Sequence, residues 1–127
     1  FRVAAIAASY VDMSDVIGGG VFRVGDPASV VGVDVGDVVE ARLVSVGDEI
    51  LFCRGLVFHP KGATPFIEKH VAQIMSDGGT RSDAIDFCAE LRVRCERYRH
   101  VTPLRLYQDA SPRAGETEGP SSSRKEA

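Results

Sequence analysis

Any chemistry in this chain must come from arginine, histidine or cysteine side chains, because no short catalytic signature is present. No HExxH, GxSxG, CxxC or phosphate-loop Lys-Ser/Thr pattern occurs. The densest group of chemically useful residues is Arg92, Arg94, Arg97, Tyr98, Arg99 and His100. On a strand, Arg92, Arg94, Tyr98 and His100 share one face, a row suited to RNA phosphates with a ring on which a base can stack. Glu90 and Glu96 share that face and dilute its field. The same cluster, with Arg113, Arg124 and Lys125 further along, is the candidate contact surface for a neighbouring protein subunit.

Metal chemistry has weaker support. A structural zinc site needs four ligands, and the donors are Cys53, His59, His70, Cys88, Cys95 and His100. None form a close pair, and on a strand Cys88 and Cys95 face opposite sides. A catalytic thiol needs a low pKa and a nearby base, so free buried cysteines are the simpler reading. No metal, cofactor-binding or catalytic residue is therefore assigned. The glycine triplet Gly18–Gly20 is followed by Val21-Phe22-Arg23-Val24, a strand pattern rather than the helix N-terminus a phosphate site requires; it reads as a plain turn. His70 lies in an apolar stripe, where bonding to a carbonyl is the simplest role.

The elements that position these residues centre on 36–58, GDVVEARLVSVGDEILFCRGLVF. Both arms are rich in Val, Leu, Ile and Phe, and Gly47-Asp48 supplies a two-residue II′ turn. That turn sets Val46 opposite Glu49, Leu43 opposite Phe52 and Val39 opposite Leu56. Alternation then gathers Val39, Ala41, Leu43, Ile50, Phe52, Leu56 and Phe58 on a face that must be buried. Arg54 falls on this face and is a candidate buried charge: either its stem packs and its head reaches the sheet edge, or an anionic partner holds it.

Residues 1–11 favour strand through Val3, Ile6 and Val11. Val21–Val24 and Ser29–Val33 read as short strands around Gly25-Asp26-Pro27. A helix spans 64–77, with Thr64 as cap, Pro65 at the first turn and Gly78-Gly79 as stop. Residues 85–101 form a long strand, because Ile85, Phe87, Ala89, Leu91, Val93 and Cys95 alternate with polar positions. The rival is a helix starting at Ser82, which gathers Ala84, Phe87, Cys88, Leu91 and Cys95 but strands Ile85 and Val93. Leu104–Tyr107 is one more short strand. Residues 108–127, QDASPRAGETEGPSSSRKEA, hold no large apolar residue and form a polar extended tail.

The expected fold is α+β: residues 1–107 form one domain, a strongly bent antiparallel sheet or partial β-barrel with one packed amphipathic helix, followed by an extended C-terminal arm. Val38–Val44 resembles the first strand of OB-type barrels, a likeness of seven residues that assigns no family.

The formal net charge of −3 gives no footprint for nucleic acid or an acidic membrane surface, and no run of about 18 apolar residues spans a membrane. Charge is nonetheless uneven. Residues 1–60 hold four Arg against eight acidic groups, whereas 91–107 hold five Arg against one Glu, so the two regions can complement each other. Three cysteines without framework spacing favour an intracellular, reducing compartment, an organelle or a virion included. A start at Phe1 suits a processed product, a fragment or a trimmed chain.

The leading functional expectation is a non-catalytic structural subunit of a large assembly, an organellar complex or a virus shell, that touches other protein subunits through its C-terminal arm. An RNA-binding β-barrel module using the basic strand face is one alternative. A small enzyme of hot-dog-like architecture, with His59 or His70 at the mouth of a deep pocket, is the other.

Overall fold

The central hairpin forms in two stages. In the computed structural model, which describes residues 1–112, its tip pairs β5 (Leu43–Val46) with β6 (Glu49–Phe52) in the expected register, Val46 opposite Glu49 and Leu43 opposite Phe52. Gly47 has φ +62° and Asp48 has no positive φ, which is the II′ pattern. Its base pairs β4 (Val39–Glu40) with β7 (Val57–Phe58), but Val39 lies opposite Phe58 rather than Leu56. The Cys53 N–H still donates to the Arg42 carbonyl, so the two extra residues enter at the bend around Arg54 and Gly55. A slip of two leaves every side chain on its original face, whereas a slip of one would reverse them. Val39, Ala41, Leu43, Ile50, Phe52 and Leu56 accordingly belong to one apolar cluster, and Phe58 alone of the seven expected apolar residues is exposed.

β1 (Arg2–Ile6), β2 (Val11–Ser14) and β3 (Val21–Val24) form a three-stranded antiparallel sheet in that order. Residues 1–11 thus hold a strand, a turn and the start of a second strand. Ser29–Val33 is not a strand: Pro27–Val30 makes a single 3-10 turn, with Pro27 fixing the first φ and the Ser29 hydroxyl donating to Asp26. β1 also pairs with the start of the central hairpin, where Arg2 bridges Val38. The far side does not seal: one bond, from the Gly25 N–H to the Ile50 carbonyl, links the end of β3 to β6. Among the described residues the strands form three small sheets and no closed barrel.

Among the described residues three helices, not one, cover this framework. α1 (Thr64–Ser76) lies where expected, although its cap position is Ala63 and Thr64 instead donates its hydroxyl to the Gly36 carbonyl. It ends in a Schellman arrangement, Gly79 N–H to the Ile74 carbonyl and Gly78 N–H to the Met75 carbonyl, with Gly78 at φ +88°. A Cβ on Gly79 would come within 2.9 Å of the Ile74 carbonyl oxygen, so the stop needs glycine there.

α2 (Arg81–Arg97) replaces most of the long strand expected over 85–101. Its start is a capping box, in which the Thr80 hydroxyl accepts from the Asp83 N–H and the Asp83 carboxylate accepts from the Thr80 N–H. Glu90–Arg94 and Arg92–Glu96 pair one turn apart along it. Ala84, Cys88 and Leu91 are buried, and Ile85 and Val93 are left exposed, the cost that the rival helix implied. α3 (Pro103–Asp109) replaces the strand expected at Leu104–Tyr107, because Leu104 and Tyr107 at helical spacing both reach the helical core. The helix runs past residue 108, so the polar tail begins later than expected; the arm over 113–127 lies outside the described residues.

Two cores result, divided by one strand. Val38 belongs to the helical core with Ile67, Val71, Leu91 and Tyr107, while its neighbour Val39 belongs to the strand core with Val3, Val11, Met13 and Val24. The alternation of a strand sends adjacent residues to opposite sides, so the central hairpin separates the two layers.

Candidate functional site

β4 carries the residue on which the site depends. Its Val39 faces the strand core, so Glu40 must face the helices, and there it meets His59, which follows β7 directly. Glu40 Oε2 lies 2.9 Å from His59 Nε2, and His59 Nδ1 lies 2.6 Å from the Tyr107 hydroxyl. Burial pushes the Tyr107 phenol well above its usual range, so the hydroxyl keeps its proton and is a donor within reach of His59 Nδ1. A neutral His59 that accepts there carries its own proton on Nε2 and donates it to the Glu40 carboxylate. Tyr107 is fully buried and serves twice, since its backbone carbonyl accepts from His70 Nε2 at 2.6 Å. His70 therefore bonds a carbonyl inside the core and also stands edge-on to Phe87.

Of this chain only Glu40 reaches solvent appreciably, its side chain 21% exposed against 1% for His59. Behind it lies a small cavity of about 80 Å³ shared by His59, Ile67 and Cys88. Burial, followed by the charge of Glu40, pushes the Cys88 thiol up to about 12, which makes it an inert core residue. In front of Glu40 opens a groove of about 700 Å³ between the free edge of β5 and the N-terminal end of α2, with Phe1, Phe22, Val44 and Ile85 on its walls.

A second anchor borders the same groove. At the tip of the β2–β3 hairpin, Asp15 accepts from the Ile17 N–H at 3.0 Å and from Arg81 Nη1 at 2.8 Å. Burial raises its carboxyl, but backbone bonds from Ile17 and Gly18 together with Arg81 outweigh this and hold it below the usual carboxylate value. The glycine triplet is thus a turn closed by its own aspartate, with the Asp15 N–H bonded to the Gly20 carbonyl.

The arginine cluster does not form the row expected on a strand. On a helix, Arg92 and Arg94 point to different sides. Arg92 bonds the Phe58 carbonyl and Glu96, Arg94 bonds Glu90, and Arg99 lies beside Glu96. Arg97, Tyr98 and His100 are exposed. Arg113, Arg124 and Lys125 lie outside the described residues. Arg54 is exposed at the bend before β7 and lines the groove, so the buried-charge reading is replaced by a charge open to solvent. Cys88 and Cys95, seven residues apart on α2, lie on the same side rather than opposite sides, and both contribute to the helical core.

Among the described residues no group of three or more potential ligands gathers to hold a metal, and no helix is long and apolar enough to cross a membrane. His59 and His70 are both buried, and it is Glu40 that borders the groove. Glu40 and Tyr107 were not foreseen, and no local pattern links them to His59 across such sequence separations. Comparison with protein families, curated proteins and solved structures finds no match for this chain.

Proposed function

We propose that this chain is a non-catalytic subunit of a larger protein assembly, of the sort that builds organellar complexes or virus shells, and that its neighbours pack on the open side of its strand half. The observation that carries this reading is apolar surface left bare around the groove. Phe22 is 37% exposed, Val44 is 41% exposed and Ile85 is 40% exposed, and all three line its walls. Scattered apolar side chains are ordinary on a protein surface, but a contiguous set at a groove marks an interaction site. The polar composition of residues 113–127 suits contact with a neighbouring protein surface.

Size-exclusion chromatography with light scattering on the chain isolated from its native source tests this reading. The expected mass is well above the 13.6 kDa of one chain. A free 13.6 kDa monomer in native material contradicts it.

A further inference from the structure

α2 turns one side to the helical core and the other outward. Ala84, Cys88 and Leu91 lie in the core. Ala89 and Val93 stand one turn apart on the side turned away from it. Ala89 is half-buried and Val93 is 50% exposed. Beside Val93 a shallow hollow of about 340 Å³ runs over Leu56, Val57 and Phe58, and Phe58 is 40% exposed.

The charges along this outer side have an order. Asp86 and Arg97 are both exposed, and neither has a charged partner among the described residues. Eleven residues make three turns, so the two stand on one side of the helix, about 16 Å apart along its axis. Ala89 and Val93 lie between them. The other charges of α2 are matched where they stand: Arg81 with Asp15, Asp83 with the Thr80 N–H, Glu90 with Arg94, and Glu96 with Arg92 and Arg99. From its N-terminal end, the face is acidic, apolar, apolar and basic. A surface of that order is complementary to itself turned end for end.

We propose that the outer face of α2 binds the same face of a second copy, antiparallel, about a twofold axis that passes between Ala89 and Val93. Ala89 of each copy then packs on Val93 of the other, with Phe58 at the margin. Asp86 of each copy meets Arg97 of the other, so one ion pair is made twice. The two helix dipoles also oppose each other. A parallel pairing would set Asp86 on Asp86 and Arg97 on Arg97, and a partner helix of a single charge would satisfy only one end. The inference uses a face other than the groove and does not rest on the assembly reading. One helix face is at the small end of specific interfaces, so the pairing is weak: the dilute chain is a monomer and the concentrated chain a dimer.

Sedimentation equilibrium on the full 127-residue chain over a wide concentration range tests this, with Val93→Asp, Asp86→Arg and Arg97→Asp as variants. All three side chains are exposed, so each variant keeps its fold, which far-UV circular dichroism checks. The mass of the unaltered chain should rise from 13.6 kDa towards twice that value. Each variant alone should raise the dissociation constant by about tenfold or more. An equimolar mixture of the Asp86→Arg and Arg97→Asp chains should dimerise again, because each offers the other an opposite charge at both ends. A chain carrying both substitutions should dimerise as well. No rise in mass at any concentration overturns the proposal, whether residues 113–127 of the same chain or a different protein takes the face. Dimerisation that survives Val93→Asp, or a mixture that behaves like its components, overturns it too, since the contact would then lie elsewhere. A native particle well above 13.6 kDa, with no self-association of the concentrated chain, removes this proposal and leaves the assembly reading. A native monomer that dimerises when concentrated removes the assembly reading alone.

Discussion

The two cores of this molecule are built on different principles, and one strand separates them. The helical core buries polar groups along with its aliphatic residues, and it satisfies each with a named partner: His59 with Glu40 and Tyr107, His70 with the Tyr107 carbonyl. The strand core consists of Val3, Val11, Met13, Val24, Val30 and Val39, with no buried polar side chain among them. Hydrophobic burial is indifferent to direction, whereas a hydrogen-bonded chain fixes distances and angles. The helical side is thus held to one geometry by its polar network. The strand side is held by burial alone, and its sheets stop short of closing, which leaves an edge and apolar side chains open beside the groove.

Core truncation should give the largest effect and break the comparison if it fails. Met13 is fully buried in the strand core, so Met13→Ala should cost about 2–5 kcal/mol in urea unfolding, through lost burial and the cavity left behind. A smaller but more diagnostic change is Tyr107→Phe in the helical core. It removes one hydroxyl, leaves His59 Nδ1 buried without its donor, and should cost about 1–3 kcal/mol. If Tyr107→Phe were neutral, the polar network would not be what distinguishes the two halves.

The acid limb of stability sharpens the contrast further. Asp15 has a folded pKa held below its unfolded value, so its contribution is present above the unfolded pKa of about 4 and disappears as pH falls through the folded one. Asp15→Asn should therefore flatten the loss of stability below about pH 4 while leaving the neutral-to-alkaline profile in place. Unfolding midpoints measured across pH 2–7 check this, and an unchanged acid limb would show that the Asp15–Arg81 anchor is idle. The smallest effect is expected at the open tip: Val46→Ser should change stability by less than about 0.5 kcal/mol, because the side chain is bare in the isolated chain. A larger loss in denaturant titration would place Val46 in a packed environment.

What could be read from the residues follows from how local each signal is. The II′ turn was legible because Gly47-Asp48 admits few alternatives, and α1 because Pro65 and Gly78 bracket it. α2 was not. Its polar and apolar residues alternate with period two, while its buried stripe is only Ala84, Cys88 and Leu91, a narrow face with two small members. Two signals that favour a helix lay elsewhere: the Thr80–Asp83 capping box, one turn before the alternation begins, and charge pairs four residues apart. The error over α2 also dispersed the basic row, since faces assigned at period two do not survive at 3.6.

The candidate site was hidden for another reason. His59 could be singled out as a residue with chemistry, but its partners, Glu40 and Tyr107, reach it only through the fold. Glu40 alternated with apolar neighbours as an outward polar residue should. Whether outward meant solvent or a second layer depended on α2 and α3 being helices. Arg54 was misplaced by the two-residue insertion at Gly55, whose φ of +87° marks the bend.

The mass of the chain in native material, measured before and after its neighbours are released, tests the central claim most directly. The account predicts a particle well above 13.6 kDa that falls to 13.6 kDa on release. A 13.6 kDa monomer in native material would contradict it.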